Sequence, residues 1–241
     1  ERSCMAMDIN LGCSGWVYGL SVLSSLMQTG NIKKAILLAG DARKQAKEEL
    51  DQLFGYACTA TALEYSKEAK PFYFDLGTDG TGYDAIIRPG GGCRNQFNED
   101  SLKLELCEDG RKRHAIQTRM KGMDVFAFGI TTAPKSIKKL TANYEMDYTS
   151  FDYVILHQAN YKMTETIRKK LKLDAEKMPY SMLHFGNTSS ASIPLTIVTQ
   201  LKGKIEDKPT KIIGCAFGVG LSWGTVAFET EHLLISELVE V

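Results

Sequence analysis

No Cys-x-x-Cys occurs in this sequence, and its cysteines (Cys4, Cys13, Cys58, Cys93, Cys107 and Cys215) are scattered. That excludes the common zinc-ligand spacings and the disulfide framework of a small secreted domain. Charge of one sign is also lacking. The 29 Lys and Arg residues balance 29 Asp and Glu, for a formal net charge of zero. This disfavours a general nucleic-acid or membrane-surface binder, which needs a basic excess. No uninterrupted apolar run is long enough to cross a bilayer. Gly77, Gly80, Gly82, Gly90, Gly91 and Gly92 mark successive turns, but Gly-x-x-x-x-Gly-Lys-Ser/Thr is missing, so a phosphate loop is not indicated. No secretory signal is visible, although Glu1 is not a starting Met. The expected setting is reducing and cytoplasmic, with neither nucleic acid nor membrane as a partner.

What is present is 241 residues, enough for one large domain or two small ones, with an apolar share of 44% that permits a sizeable core. One stretch organises the rest: Asp8-Ile9-Asn10-Leu11-Gly12-Cys13-Ser14-Gly15-Trp16. Met5 to Ile9 reads as a strand. Trp16, Val17, Leu20, Leu23 and Leu26-Met27 then recur at helical spacing, and Gly30 is a stop signal. Gly12, Ser14, Gly15 and Gly19 are small enough to let this helix lie close to other backbone. Cys13 therefore falls where a strand turns into a buried helix, among N–H groups without intrahelical partners. A thiol there is expected to have a lowered pKa and act as a nucleophile. A small buried residue is the other reading.

Read in order, the chain alternates strands and helices, which makes it α/β. Lys34–Asp41 is a buried-strand run, and with Met5–Ile9 and the helix between them it suggests a right-handed βαβ unit. Arg43–Phe54 reads as a surface helix or loop, Cys58–Tyr65 as a strand, and Phe72-Tyr73-Phe74 as a short strand near an edge. Leu102–Leu106 alternates as a half-exposed strand, and Arg111-Lys112-Arg113 is a solvated turn. A second unit begins near Gly122 with a helix to about Asn143, kinked at Gly129 or Pro134. Phe151–Leu156 is a buried strand ending at His157-Gln158-Ala159-Asn160. Tyr161–Leu171 is a basic amphipathic helix with Asn160 as N-cap. Met178–Phe185 is extended, Ile193–Leu201 is an apolar helix with Pro194 in its first turn, and Lys211–Phe217 with Leu221–Glu229 form a hairpin-like pair. The two units, 1–112 and 113–241, are loosely alike, a hint of internal duplication. The opening strand has nothing before it to pair with, so the chain is expected to be a fragment. Such a fragment should expose an apolar patch around Trp16, Leu20 and Leu23.

Cys13, His157 and Asn187 stand at strand or loop ends, where chemistry in α/β sheets collects. His114, His184 and His232 read as structural. Asn187 by itself equally suits a turn cap.

Taken together these residues sit in segments that resemble the β-ketoacyl-acyl-carrier-protein synthase III family of the thiolase-like superfamily. The segments are Asp8 to Gly15, His157-Gln158-Ala159-Asn160, Gly186-Asn187-Thr188-Ser189-Ser190-Ala191-Ser192-Ile193-Pro194 and Phe217-Gly218-Val219-Gly220-Leu221-Ser222-Trp223-Gly224. The resemblance implies a five-layer α-β-α-β-α sandwich of two similar halves, the first incomplete here. It implies Cys13 as nucleophile with His157 and Asn187 as catalytic partners. The backbone N–H groups of Cys13 and Val219 would form an oxyanion hole, and Lys162, Phe217 and Gly218 would serve carrier-protein or substrate binding. A solvated basic helix face is the alternative for Lys162, Arg168, Lys169 and Lys172. The implied reaction joins an acyl-coenzyme A and a malonyl-acyl carrier protein by decarboxylative Claisen condensation, in fatty acid or related biosynthesis. Acyl-coenzyme A and malonyl-acyl carrier protein are its substrates, no metal or cofactor is expected, and the protein is expected to be a homodimer. Two departures from the family pattern stand out: Gly55-Tyr56-Ala57-Cys58, where members often carry an Asp, and Val219, which replaces the middle glycine of a triplet. They keep a non-catalytic thiolase-like subunit open, and a related acyltransferase or ketone synthase is the runner-up among enzymes.

Overall fold

The computed structural model describes residues 3–41 and 53–240. Helix α1, Gly15–Gln28, buries Trp16, Val17, Gly19, Leu20 and Met27. It ends where predicted: the Thr29 N–H reaches the carbonyls of Leu26 and Met27, and Gly30 turns the chain with φ +84°. Strand β1, Lys34–Gly40, pairs antiparallel with β2, Cys58–Glu64, in register from Lys34↔Glu64 to Gly40↔Cys58. Strand β3 is Tyr73–Thr78. Then come four two-residue strands, β4 (Ile86–Ile87), β5 (Glu105–Leu106), β6 (Lys112–Arg113) and β7 (Arg119–Met120), paired β4 with β7 and β5 with β6. Helix α2 is Gly122–Asn143, with Pro134 inside it. Strand β8, Tyr153–Leu156, leads to α3, Tyr161–Leu171, whose N-cap Asn160 accepts the Met163 N–H at 2.9 Å. The short α4, Met182–Phe185, precedes α5, Ser192–Thr196, which continues as a π turn over Ile197–Leu201. Strands β9, Thr210–Gly218, and β10, Ser222–Thr230, complete the list.

Four of these strands form one sheet in the order β3-β10-β9-β8, in which β8 and β9 are parallel and the other neighbours antiparallel. Its two faces carry two separate cores. On one face α2 and α3 pack through Ile137, Leu140, Met163 and Ile167 against Ile213, Cys215 and Phe217. On the other, α1 and α5 pack through Trp16, Val17, Leu20 and Ile193 against Ile212, Ala216 and Val226. The β1–β2 sheet lies on the far side of α1. Trp16 joins the layers: its Nε1 donates to Thr61 Oγ1 at 2.9 Å, and its ring meets Phe228 edge-on. The close approach of α1 to β1 depends on Gly19, where a Cβ would fall 2.5 Å from a Leu37 methyl. Four consecutive layers of the thiolase-like sandwich, β-α-β-α, are therefore present among the described residues.

Several expectations change. Met5–Ile9 is not a strand, and Met5 and Met7 are 63% and 50% exposed. A strand exists only through a ladder, and β1 takes its ladder from β2. The right-handed βαβ unit is therefore not formed. β1 is not buried on both faces either, since Ile36 and Leu38 are 66% and 76% exposed. Of the patch expected around Trp16, Leu20 and Leu23, Trp16 and Leu20 are covered at 2% exposure, because β1–β2 and β9–β10 enclose α1, while Leu23 is half-buried and lines the open cleft. In Leu102–Leu106 only Glu105 and Leu106 pair, and Leu104 and Leu106 face solvent. Arg113 is no solvated turn residue; it sits half-buried in β6 with both terminal nitrogens on Asp109. In Met178–Phe185 the end is helical, with the Ser181 and Met182 N–H groups held by Gln158 Oε1. Arg43–Phe54 lies outside the described residues apart from Leu53 and Phe54. Finally, β3 pairs with β10, so a division at 112/113 separates a strand from its own sheet. We propose a division in the connection between Tyr65 and Tyr73.

Candidate active site

Cys13 lies in the bend before α1, where the Gly15 N–H meets the Gly12 carbonyl at 2.8 Å. Gly218, the last residue of β9, presses against it: a Cβ there would stand 2.8 Å from both Cβ and Sγ of Cys13, so no larger residue fits. The site is partly open, yet the sulfur is surrounded by protein. Burial pushes the thiol up to about 11. The Ser189 hydroxyl and the backbone N–H groups of Cys13 and Val219 pull the other way, and the Asp41 carboxylate adds to the rise. The pKa is raised and not lowered, because desolvation outweighs the Ser189 hydroxyl and the two N–H groups.

His157 extends β8 by one residue, its N–H donating to the Cys215 carbonyl at 2.8 Å. Its Nδ1 is 2.8 Å from Ser192 Oγ, and its ring meets Phe217 edge-on at 5.8 Å. Burial pushes its pKa down to about 4, so the ring is neutral at pH 7.

Asn187 is held by its backbone. Its N–H donates to the Leu53 carbonyl at 2.9 Å, and its carbonyl accepts the Gly55 N–H at 3.0 Å, an isolated parallel bridge. Gly186 before it has φ +63°, and Gly55 approaches so closely that a Cβ would lie 1.7 Å from the Phe185 carbonyl oxygen. The side-chain Oδ1 accepts the Ser189 N–H at 2.9 Å. That leaves the Nδ2 amide to donate elsewhere.

Cys13, His157 and Asn187 line one open cleft, together with Phe217, Gly218, Val219 and Tyr56. Phe217 is buried beneath the His157 ring, while Val219 is 39% exposed with its side chain over Gly12. Lys162 stands exposed in the first turn of α3, 5.9 Å from the ring of Phe126, a residue of the cleft wall. Sequence reasoning gave no role to Ser189, Ser192 or Ser222, and gave Ser14 only that of a small residue in close packing. Ser14 and Ser222 share a buried hydroxyl contact of 2.7 Å, and Ser222 Oγ donates to the Val219 carbonyl at 2.6 Å, which links the nucleophile bend to the Gly218-Val219-Gly220 loop. Ser189 and Ser192 lie inside the Gly186–Pro194 motif, but a serine carries no long-range pattern that points to its partner. Among the described residues no cluster of His, Cys, Asp and Glu is placed to hold a metal, and no helix is long and apolar enough to cross a membrane.

Two family models match the chain. Residues 7–80 match 3-oxoacyl-[acyl-carrier-protein] synthase III, and residues 141–230 match its C-terminal part. A β-ketoacyl-[acyl-carrier-protein] synthase III of Clostridium tetani is 30% identical over 230 residues, covering 92% of this chain and 67% of the relative. A putative 3-oxoacyl-[acyl-carrier-protein] synthase 3 of Campylobacter jejuni is 31% identical over 98% of this chain and 66% of its own length. A crystal structure of a 3-oxoacyl-(acyl-carrier protein) synthase from Burkholderia xenovorans superposes with a TM-score of 0.87 at 34% identity, covering all of this chain and 68% of that one. The chain thus spans about two thirds of the length of the relatives it matches. With both family models matched and a relative 30% identical over two thirds of its length, the chain belongs to the 3-oxoacyl-[acyl-carrier-protein] synthase III family.

Proposed function

We propose that this protein forms a carbon–carbon bond by decarboxylative Claisen condensation of an acyl-coenzyme A with malonyl-acyl carrier protein. The observation that carries the reading is the cleft itself, which three chemically matched side chains from distant parts of the sequence line together. Cys13 as thiolate attacks the acyl thioester carbonyl. The bond to the coenzyme A sulfur breaks, the proton that Cys13 gave up on becoming a thiolate passes to the departing coenzyme A sulfur, and the acyl group stays on Cys13. The backbone N–H groups of Cys13 and Val219, which lie close enough to the sulfur to lower its pKa, suit the oxyanion of that step. Such donors need position and not a particular side chain, so Val219 serves in place of glycine.

The malonyl thioester then loses carbon dioxide, and negative charge develops on its thioester oxygen. A neutral His157 and the Nδ2 amide of Asn187 both donate there. The enolate carbon attacks the acyl carbonyl, the new carbon–carbon bond forms, and the Cys13 thiolate is released. Every group in this sequence is a side chain or a backbone N–H, so neither metal nor redox cofactor enters the proposal. Lys162, beside the cleft wall, suits an acidic carrier protein. Homodimerisation and a cytoplasmic location complete the reading.

The test is mass spectrometry of the full-length protein after incubation with a panel of acyl-coenzyme A thioesters, paired with release of carbon dioxide from malonyl-acyl carrier protein. Cys13→Ser should abolish acyl transfer. Asn187→Ala should retain acylation and slow decarboxylation roughly 10²–10³-fold. Equal loss of both half-reactions in Asn187→Ala would contradict this division of roles.

A further inference from the structure

Behind His157 lies a chain of buried polar groups that the reaction as described does not use. Ser192, the first residue of α5, is fully buried, and its Oγ is 2.8 Å from His157 Nδ1. Its carbonyl accepts the Thr196 hydroxyl at 2.8 Å, and Thr196 Oγ1 is 2.7 Å from Ser181 Oγ. The Ser181 N–H donates to Gln158 Oε1 at 3.0 Å, and Gln158 Nε2 donates to the Leu156 carbonyl at 2.7 Å. The network leaves from the imidazole and returns to the backbone on either side of it. Ser181, Thr196, Gln158 and Ser192 are all within 1% of complete burial.

We infer that Ser192 is a positioning residue for His157: its hydroxyl donates to Nδ1, holds the ring proton on Nε2, and so presents an N–H to the cleft. The argument is an accounting of protons. Among the described residues the Ser192 hydroxyl has one hydrogen-bond partner, His157 Nδ1. If Nδ1 carried the proton and donated to Ser192, the serine's own O–H would be buried without an acceptor, an arrangement folded proteins avoid. If Ser192 donates, both groups are satisfied and Nε2 must hold the proton of a neutral ring. Nε2 belongs to the ring edge turned from Ser192, and His157 lines the cleft. The other contacts are the backbone N–H of His157 on the Cys215 carbonyl and the T-shaped meeting of its ring with Phe217. They do not choose between the two nitrogens; Ser192 does.

The inference rests on the proposed function only for its catalytic consequence, so the test reads the tautomer and the chemistry separately. Two-bond ¹H–¹⁵N correlation spectra of full-length protein labelled with ¹⁵N-histidine report which ring nitrogen is protonated. The expected result is an Nε2 proton on His157. In Ser192→Ala the Nδ1-protonated form should appear, and decarboxylation of a malonyl thioester should fall roughly 10–100-fold, the usual effect of losing a group that orients a functional His. Acylation of Cys13 should stay within about twofold, because that step draws on other groups. Ser192→Thr keeps a hydroxyl at the same place and should restore both the tautomer and the rate. An Nδ1 proton in the wild type would overturn the inference, and so would Ser192→Ala with unchanged tautomer and decarboxylation. A wild-type protein that shows the Nε2 proton but neither takes an acyl group nor decarboxylates would refute the proposed reaction and uphold the role of Ser192.

Discussion

At the scale of single residues the site is governed by desolvation. A Cys13 thiol with its pKa near 11 is almost wholly protonated at neutral pH. Alkylation of Cys13 by iodoacetamide should therefore be slower at pH 8 than that of a free thiol, and should climb about tenfold per pH unit well past pH 9. A plateau reached by pH 8 would show that the three N–H and O–H donors outweigh burial. His157 carries the opposite linkage. Its folded pKa, near 4, lies below the 6.5 of a free imidazole, so between those values the unfolded chain binds a proton that the folded chain does not. Its contribution is complete above about pH 6.5 and is lost as pH falls to 4, on the order of 3 kcal/mol in all. Urea unfolding across that window should show the fall, and His157→Gln should flatten it. Equal slopes in the two proteins would remove His157 as the cause.

At the scale of elements, β3 is pinned by one buried carboxylate. Asp75 accepts from Lys139 Nζ at 2.6 Å, Ser136 Oγ at 2.7 Å and Trp223 Nε1 at 3.3 Å, so it joins β3 to α2 and to β10. Asp75→Ala leaves Trp223 Nε1 without its acceptor, while Ser136 keeps Thr225 Oγ1 and Lys139 reaches solvent, and should cost about 1–3 kcal/mol in chemical unfolding. Asp75→Asn should cost less, and an Ala variant as stable as the wild type would show that the strand is held by packing alone. Nothing local in Phe72-Tyr73-Phe74 announces this allegiance. Its strand character and edge position were legible, but a strand's partner is set by residues far along the chain. The same holds for Met5–Ile9, whose apolar pattern suits a strand that finds no ladder here. Elements with internal signals were read well: α1 with its Gly30 stop, α3 with its Asn160 cap, and β9 and β10 on either side of Gly218-Val219-Gly220. The candidate site was drawn from Cys13, His157 and Asn187 because resemblance joined them, and the structure has them line one cleft. Its supporting serines were not, because hydroxyl pairs such as Ser14–Ser222 depend on tertiary distance alone.

At the scale of the whole molecule, the outer face of β1 and β2 carries the main surplus of apolar surface near the cleft. Ile36 and Leu38 point outward from it, and Met5 and Met7 lie exposed along the same cleft wall. Patches of this kind mark surfaces of association. The 241-residue chain should therefore self-associate in sedimentation, and the double variant Ile36→Glu, Leu38→Glu should shift it toward monomer. A chain that is monomeric with both residues intact would show the face to be tolerated in water. The sheet on the other side of α1 has a different consequence, one of timing. Among the described residues β3 pairs with β10 alone, and β10 follows every other strand. As the chain leaves the ribosome, Tyr73–Thr78 emerges long before its partner exists. Its edge stays open while the β4–β7 and β5–β6 pairs, α2, α3 and the motif around Asn187 are still being made. Whatever shields that edge during synthesis decides how much of the newly made protein reaches the state in which Cys13, His157 and Asn187 line one cleft.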